Sequence, residues 1–332
     1  AEPNDEDSAY GDDEGSALHY GSVSSSIYNF RMENGRTYHA VSNFNLWKEW
    51  SSDIFVGSTR TEKEQDRMDL VYHAILRLFD GKPFFAPVIN PQRIVDMGTG
   101  TGIWALDVGD QYPEAQVVGI DLSPIQPKWV SPNVEFRIDD IESNWVFEKP
   151  LDLIHSRLCM GNAIRNWKHY LSESYRCLRP GGWVEAQEFD LLPRSDDDSF
   201  PPDSTILEWH KHFHDGMAKA GCNMRGSAQE LKDHMEDAGF VNVGIVDTKL
   251  HMAPWSEDKK FKEVGGFMML SMMDDISGMS MAVFTRLLGW DPLELEVFLA
   301  HVRKEWRNKD IHGYWPMFAV YGQKPLDPDA TS

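Results

Sequence analysis

Ile94-Val95-Asp96-Met97-Gly98-Thr99-Gly100-Thr101-Gly102-Ile103-Trp104, followed by Val117-Val118-Gly119-Ile120-Asp121, is the stretch that decides the fold. An apolar run enters a turn with glycine at every second position, and a helical pattern leaves it. A second apolar run then stops on a carboxylate. Strand, tight turn, helix, strand and acid in that order make a unit that holds a nucleoside-bearing cofactor. Glycine lets backbone approach a ligand without Cβ interference and adopts positive φ where a tight turn needs it. Asp121 follows the turn by about 20 residues, where a carboxylate at a strand end can accept both ribose hydroxyls.

Spacing separates two cofactors. A dinucleotide fingerprint starting at Gly98 needs glycine at position 103, where Ile103 stands. The pattern Asp96-x-Gly98-x-Gly100-x-Gly102 instead resembles that of class I S-adenosylmethionine-dependent methyltransferases, whose cofactor has no pyrophosphate to cradle.

Outward from this unit the elements alternate. A strand covers 93–96, a helix about 102–110, a second strand 116–120, and a short helix is expected behind Pro124. Strands follow at Val134–Ile138 and Leu151–His155. A helix from about Arg165 to Leu178 meets the stop Arg179-Pro180-Gly181-Gly182, and Gly182–Phe189 is a fifth strand. Alternation of this kind predicts a doubly wound α/β sheet, Rossmann-like, with ligands at the carboxyl ends of its strands. Upstream, Thr61 and Glu64 form a capping box opening a helix with a stripe of Met68, Val71, Tyr72, Ile75 and Phe79. That helix is expected to pack beside the cofactor unit as an N-terminal lid.

Downstream the pattern is interrupted by helical additions. Asp203 is read as the cap of a helix carrying Ile206, His210, Phe213 and Met217, and Ser227 with Glu230 opens another that Gly239 ends. A sixth strand spans Val243–Leu250, a methionine-rich helical stretch covers 256–308, Asp291-Pro292 starts its last helix, and Tyr314–Tyr321 closes the chain's sheet. The resulting division is a disordered acidic tail at 1–20, a lid segment with its helix at 21–90, and a cofactor-binding core at 91–190. The rest of the core, with helical insertions on the acceptor side, takes 191–325, and 326–332 is a tail.

Among 332 residues the net charge is −21, which argues against a phosphate-tracking surface, so no direct nucleic-acid contact is expected. Cys159, Cys177 and Cys222 show neither a disulfide framework nor zinc spacing. No apolar run approaches the roughly 18 residues of a membrane span. The expectation is an intracellular protein. His210 and His214 share a helix face, but no third ligand stands at a zinc-like spacing, so no metal is expected.

Several stretches together resemble the LaeA-like methyltransferases of filamentous fungi: Glu33-Asn34-Gly35-Arg36-x-Tyr38-His39, the glycine turn, Gly119-Ile120-Asp121-Leu122-Ser123-Pro124-Ile125-Gln126-Pro127, Asp152-Leu153-Ile154-His155-Ser156-Arg157 and Leu178-Arg179-Pro180-Gly181-Gly182-Trp183-Val184-Glu185. The resemblance runs from about Tyr28 to Pro325. It implies a seven-stranded class I sheet whose last strand is antiparallel, with S-adenosylmethionine as cofactor. It also implies a place in nucleus or cytoplasm and a protein partner, either a velvet-type regulator or a second methyltransferase. Carried over by position, Gly98, Thr99, Gly100 and Gly102 pass the methionine part of the cofactor, with Asp96 toward its amino end. Asp121 takes the ribose and Leu122 lies against the adenine. Asp140 accepts from the adenine amino group beside Ile141, with Asp139 competing for that role. His155, Ser156 and Arg157 border the transferred methyl, and Tyr28, Arg36 and Tyr38 close over the cofactor.

Methyl transfer from a sulfonium is an in-line displacement, so the protein must chiefly orient the acceptor and exclude water. A hydroxyl or protonated amine acceptor also needs a base. His155 is the first choice because it ends a strand on the ligand side and titrates near neutrality, with His39 and Glu188 as alternates. Each also reads as hydrogen-bonded scaffold. A thioether acceptor needs no base. Three readings follow: a regulatory enzyme in a protein complex, an O- or N-methyltransferase of a small metabolite, and a cofactor-holding scaffold.

Overall fold

The computed structural model describes residues 62–161 and 163–327, together with the backbone of 30–33 and 36–39. The acidic tail, Tyr28 and Thr61 lie outside the described residues. β1 (Phe30–Glu33) and β2 (Arg36–His39) pair antiparallel across positions 34–35, where the sequence carries Asn-Gly.

The main sheet has seven strands: β3 (Arg93–Met97), β4 (Gln116–Asp121), β5 (Val134–Ile138), β6 (Leu151–Arg157), β7 (Leu178–Phe189), β8 (Val241–His251) and β9 (Tyr314–Gln323). Their order is β5-β4-β3-β6-β7-β9-β8. β3 to β7 are parallel, and β9, the last in sequence, is antiparallel to both β7 and β8. Parallel strands covered on both faces must be apolar throughout, and β3, β4 and β6 are buried along most of their length.

Among the described residues seven α-helices surround the sheet: α1 (Glu62–Leu78), α2 (Ile103–Gln111), α3 (Trp167–Cys177), α4 (Thr205–Lys219), α5 (Ala228–Asp237), α6 (Lys259–Ala282) and α7 (Pro292–Trp306). Ile94, Val117, Leu153 and Trp183 face Trp104, Ala105 and Val108 of α2. Their neighbours Val95, Val118, Ile154 and Val184 face the other way, toward Tyr170, Leu171, Leu231 and Met235. A third core joins α1, α4, α6 and α7 around Trp209, Phe213, Met272, Ile276, Trp306 and Trp315. α1 therefore shares its core with the appended helices as well as lying beside the cofactor unit. Thr101 Oγ1 donates to Asp69 at 2.7 Å, and the Tyr72 hydroxyl donates to Asp107 of α2.

Some sequence expectations need correction. No helix forms behind Pro124. Pro127 lacks the N–H a helix would use, and Gln126 Nε2 donates to Gly100 O and Ser123 O, which ties the segment to the glycine turn. Ser204, not Asp203, caps α4, accepting from Leu207 N at 3.2 Å. β7 begins at Leu178, so the Gly/Pro stop lies within the strand rather than before it. The methionine-rich stretch is α6, broken in φ/ψ at Asp275, then a π-helical turn at Val283–Leu287 and α7.

Candidate functional site

The glycine turn sits where β3 leaves the sheet. Gly98 N and Thr99 N both donate to Ile120 O, at 2.8 and 2.9 Å, folding the turn back on β4. Gly98 and Gly100 have φ of +74° and +58°, and Gly102, the N-cap of α2, has +85°. A Cβ on Gly98 would stand 2.6 Å from Cys159 Sγ, so the turn closes only with glycine there. A Cβ on Gly100 would stand 2.5 Å from Met68 Cε, the flexible tip of an α1 side chain lying over the turn.

Asp121, at the carboxyl end of β4, faces this turn. One oxygen accepts from Gly100 N and the other from Ser123 N, each at 2.8 Å. Burial pushes its carboxyl up to about 6, against the pull of those two N–H donors. Leu122 beside it is half-buried. Past β5, Asp139 is exposed and accepts from Asp140 N, while the less exposed Asp140 accepts from Glu142 N at 2.9 Å. Ile141 is buried, with Cδ1 3.9 Å from the Cβ position of Gly98.

Asp96 is buried behind the turn. It accepts from Thr99 Oγ1 at 2.6 Å and from His155 Nδ1 at 2.7 Å. His155 is fully buried and lies flat on Trp104, with ring centroids 3.9 Å apart. Burial holds its pKa below the usual histidine value despite Asp96. The ring is therefore neutral at pH 7, with its proton on Nδ1 toward Asp96, and the buried Nε2 has no well-formed hydrogen bond among the described residues. His155 therefore props the carboxylate behind the turn.

The His155-Ser156-Arg157 triplet does not act as one group. Strand alternation sends His155 and Arg157 to the α2 side and Ser156 to the α3 side, where its hydroxyl is buried beside Tyr170. Arg157 Nε donates to Gln187 Oε1 at 2.8 Å, and its guanidinium lies 5.3 Å over the Tyr72 ring. Gln187 donates onward to Glu185 and Pro83 O, and Glu185 accepts from Phe85 N and Ala86 N. A polar seam thus runs from Asp96 across β6 and β7 to the segment entering β3. Glu185, Gln187 and Trp104 were not singled out in the sequence; the signal was polar residues at alternate positions of a strand that had to be buried.

Glu188, the other candidate base within the described side chains, is also buried. Its oxygens accept from Cys159 N at 3.0 Å and Met160 N at 3.1 Å, and burial pushes its carboxyl up to about 8. Arg36, Tyr38 and His39 stand on β2. Their side chains, like Tyr28, lie outside the described residues. His210 donates Nδ1–H to Ile206 O and accepts from Trp315 Nε1 at 3.1 Å, so its ring is a core bridge. No group of His, Cys, Asp or Glu among the described residues is placed to hold a metal ion.

With this geometry in hand, the chain was compared with known proteins. A family model described as a methyltransferase domain matches residues 70–245. The methyltransferase pytC of Aspergillus terreus is 36% identical over 307 residues, 92% of this chain and 91% of that protein. The secondary metabolism regulator laeA of Aspergillus fumigatus is 34% identical, covering 89% and 77%. The protein-methionine methyltransferase laeA of Emericella nidulans is 33% identical, covering 90% and 77%. Among solved structures, phosphoethanolamine N-methyltransferase 2 of Haemonchus contortus, in complex with phosphomonomethylethanolamine and S-adenosylhomocysteine, shares the fold at a TM-score of 0.51 and 16% identity. The match covers 83% of this chain and 60% of that enzyme.

Proposed function

The chain belongs to the LaeA-like fungal methyltransferases, and from that premise we propose that it is a regulatory enzyme that methylates a protein thioether, working in a protein complex. Its methyl donor is S-adenosylmethionine. The turn fits that donor because glycine at Gly98 and Gly100 leaves bare backbone where any Cβ would collide. Asp121 would hold the ribose, and Asp96, held by His155, would face the amino end. Leu122, Asp140 and Ile141 would take the adenine, with Met68 swinging aside. S-adenosylmethionine supplies an activated methyl carbon, and the protein's residues orient the acceptor and exclude water.

The observation that carries the choice of acceptor is that both candidate bases are buried: Glu188 has each oxygen on a backbone N–H, and His155 lies inside the sheet, flat on Trp104, with Nδ1 on Asp96. A thioether sulfur attacks through a lone pair and releases no proton, so it suits such a site. The name of the Emericella nidulans relative, a protein-methionine methyltransferase, supports the same acceptor. The regulators named among the relatives support a regulatory role. The complex proposed is one with a velvet-type protein or a second methyltransferase, in nucleus or cytoplasm. No helix among the described residues is long and apolar enough to cross a membrane.

A second reading, methylation of oxygen or nitrogen on a small metabolite, is favoured by the fuller match to the pytC methyltransferase. Incubating the purified protein with methyl-labelled S-adenosylmethionine and fungal extract separates the two. Label in methionine of protein supports the first reading, and label in small organic compounds supports the second. Tight cofactor binding with no label in either fraction leaves a scaffold.

A further inference from the structure

We propose that Glu188 is a positioning residue, clamping the loop after β6 against Gly98 and so setting the wall of the pocket in which methyl transfer takes place. This rests on the reading that the glycine turn holds S-adenosylmethionine. The loop is held in a conformation it would not choose by itself. Leu158 has φ of +54°, a left-handed geometry disfavoured for L residues other than glycine. Its N–H donates to Gln187 O at 2.9 Å, and the next two N–H groups both point at Glu188. Successive N–H groups beside a left-handed residue form a concave cradle for oxygen acceptors, and here the Glu188 carboxyl fills it.

The carboxyl meets this cradle with one oxygen per donor, and it makes no ion pair among the described residues. A buried carboxyl without a cation must satisfy its oxygens by hydrogen bonds, and these two bonds hold the backbone that carries Cys159. The Cys159 thiol lies within reach of Met97 O and Arg157 O, at 3.4 and 3.3 Å, and it fills the space a Cβ on Gly98 would need. On the far side, the Cβ position of Gly161 lies 2.1 Å from Asn223 O, so the loop is wedged between the glycine turn and the segment before α5. The mechanical line therefore runs from Glu188 through the backbone of Cys159 and Met160 to the thiol, and from the thiol to Gly98.

With both oxygens occupied, Glu188 orients and does not accept a substrate proton. Glu188→Gln keeps the shape but turns an amide NH2 toward one of the two N–H donors, which removes half of the clamp. Calorimetric affinity for S-adenosylmethionine, melting temperature and the rate of Cys159 alkylation by iodoacetamide are measured together, in a Cys177→Ser, Cys222→Ser background. The expected result is a retained cooperative melt, affinity weaker by roughly tenfold, the loss of about one buried hydrogen bond, and alkylation faster by a similar factor. Glu188→Asp, a carboxyl of shorter reach, is expected to recover part of both, and it carries the test if Glu188→Gln does not fold. Unchanged affinity with a thiol as protected as in the parent overturns the proposal. So does unchanged affinity and alkylation with methyl transfer lost, the pattern of a base. A parent protein that fails to bind S-adenosylmethionine sinks the cofactor reading instead, and the alkylation rates still decide whether the clamp exists.

Discussion

His155 in the α/β half and His210 in the helical half are both fully buried, and both pack on tryptophan. Burial also drives the pKa of each below the usual histidine range. Their partners differ. His210 bridges a helix carbonyl and the Trp315 indole, so its two nitrogens are satisfied within a closed core. His155 is tied on one nitrogen to a carboxylate that itself holds the glycine turn, and its other nitrogen has no well-formed hydrogen bond among the described residues. One half of the molecule uses buried polarity to fix packing, and the other uses it to fix a turn that must present backbone to a ligand. Residue type and burial are the same in both places; the neighbours set the role.

The largest effect expected from this contrast is on stability in the helical half. His210→Ala leaves a cavity among aromatic rings and orphans the Trp315 N–H, and is expected to destabilise by about 3–5 kcal/mol in chemical denaturation while leaving cofactor affinity of the folded fraction intact. The same residue gives a pH signature. Burial holds His210 at about 3, below its ordinary value of 6.5, so the unfolded chain takes up the proton first. Its contribution is present above pH 6.5 and is lost as pH falls toward about 3. Wild-type stability should drop over that window, and a His210→Phe variant that still folds should show a shallower drop. A cofactor affinity that collapsed in His210→Ala would break the contrast.

His155→Ala should destabilise less, by about 2–3 kcal/mol, because Thr99 still serves Asp96. Unlike His210→Ala, it should also weaken S-adenosylmethionine binding, by roughly tenfold, through a loosened turn. Equal loss of stability with no loss of affinity would make His155 a core bridge like His210.

The smallest expected effect sharpens the electrostatics of the turn. Burial raises Asp121 to about 6, so its carboxylate loses charge as pH falls through that value and accepts hydroxyl hydrogens less well. Calorimetric affinity should therefore weaken severalfold between pH 7.5 and 5. In Asp121→Asn it should be low and flat across the same range.

The two halves also differ in how far the sequence disclosed them. The α/β half could be read because its strands are apolar runs between glycine and carboxylate markers, and these are local. Asp96, the three glycines and Asp121 converge on one turn because strand ends in a parallel sheet must. The segment behind Pro124 is a loop because Pro127, and Gln126 bonded to Gly100 O, override the helix start expected there. The seam from Asp96 to Glu185, and the splitting of His155 from Ser156, needed the register between β3, β6 and β7, which no single segment carries. In the helical half, capping signals placed α5 and α7 well. The packing of α1 on α6 and the break at Asp275 depend on contacts between residues about 200 positions apart and were not visible locally.

The central claim is that a bare-backbone turn and the acid facing it hold the methyl donor. Titration calorimetry of S-adenosylmethionine into the wild-type chain, Asp121→Ala and Gly100→Val tests it directly. The prediction is saturable binding of one equivalent by the wild type, roughly a hundredfold weaker binding once the two ribose hydrogen bonds are gone, and none when a branched side chain is forced into a positive-φ position under Met68. Wild-type affinity retained in either variant would contradict the claim and move the cofactor elsewhere in the molecule.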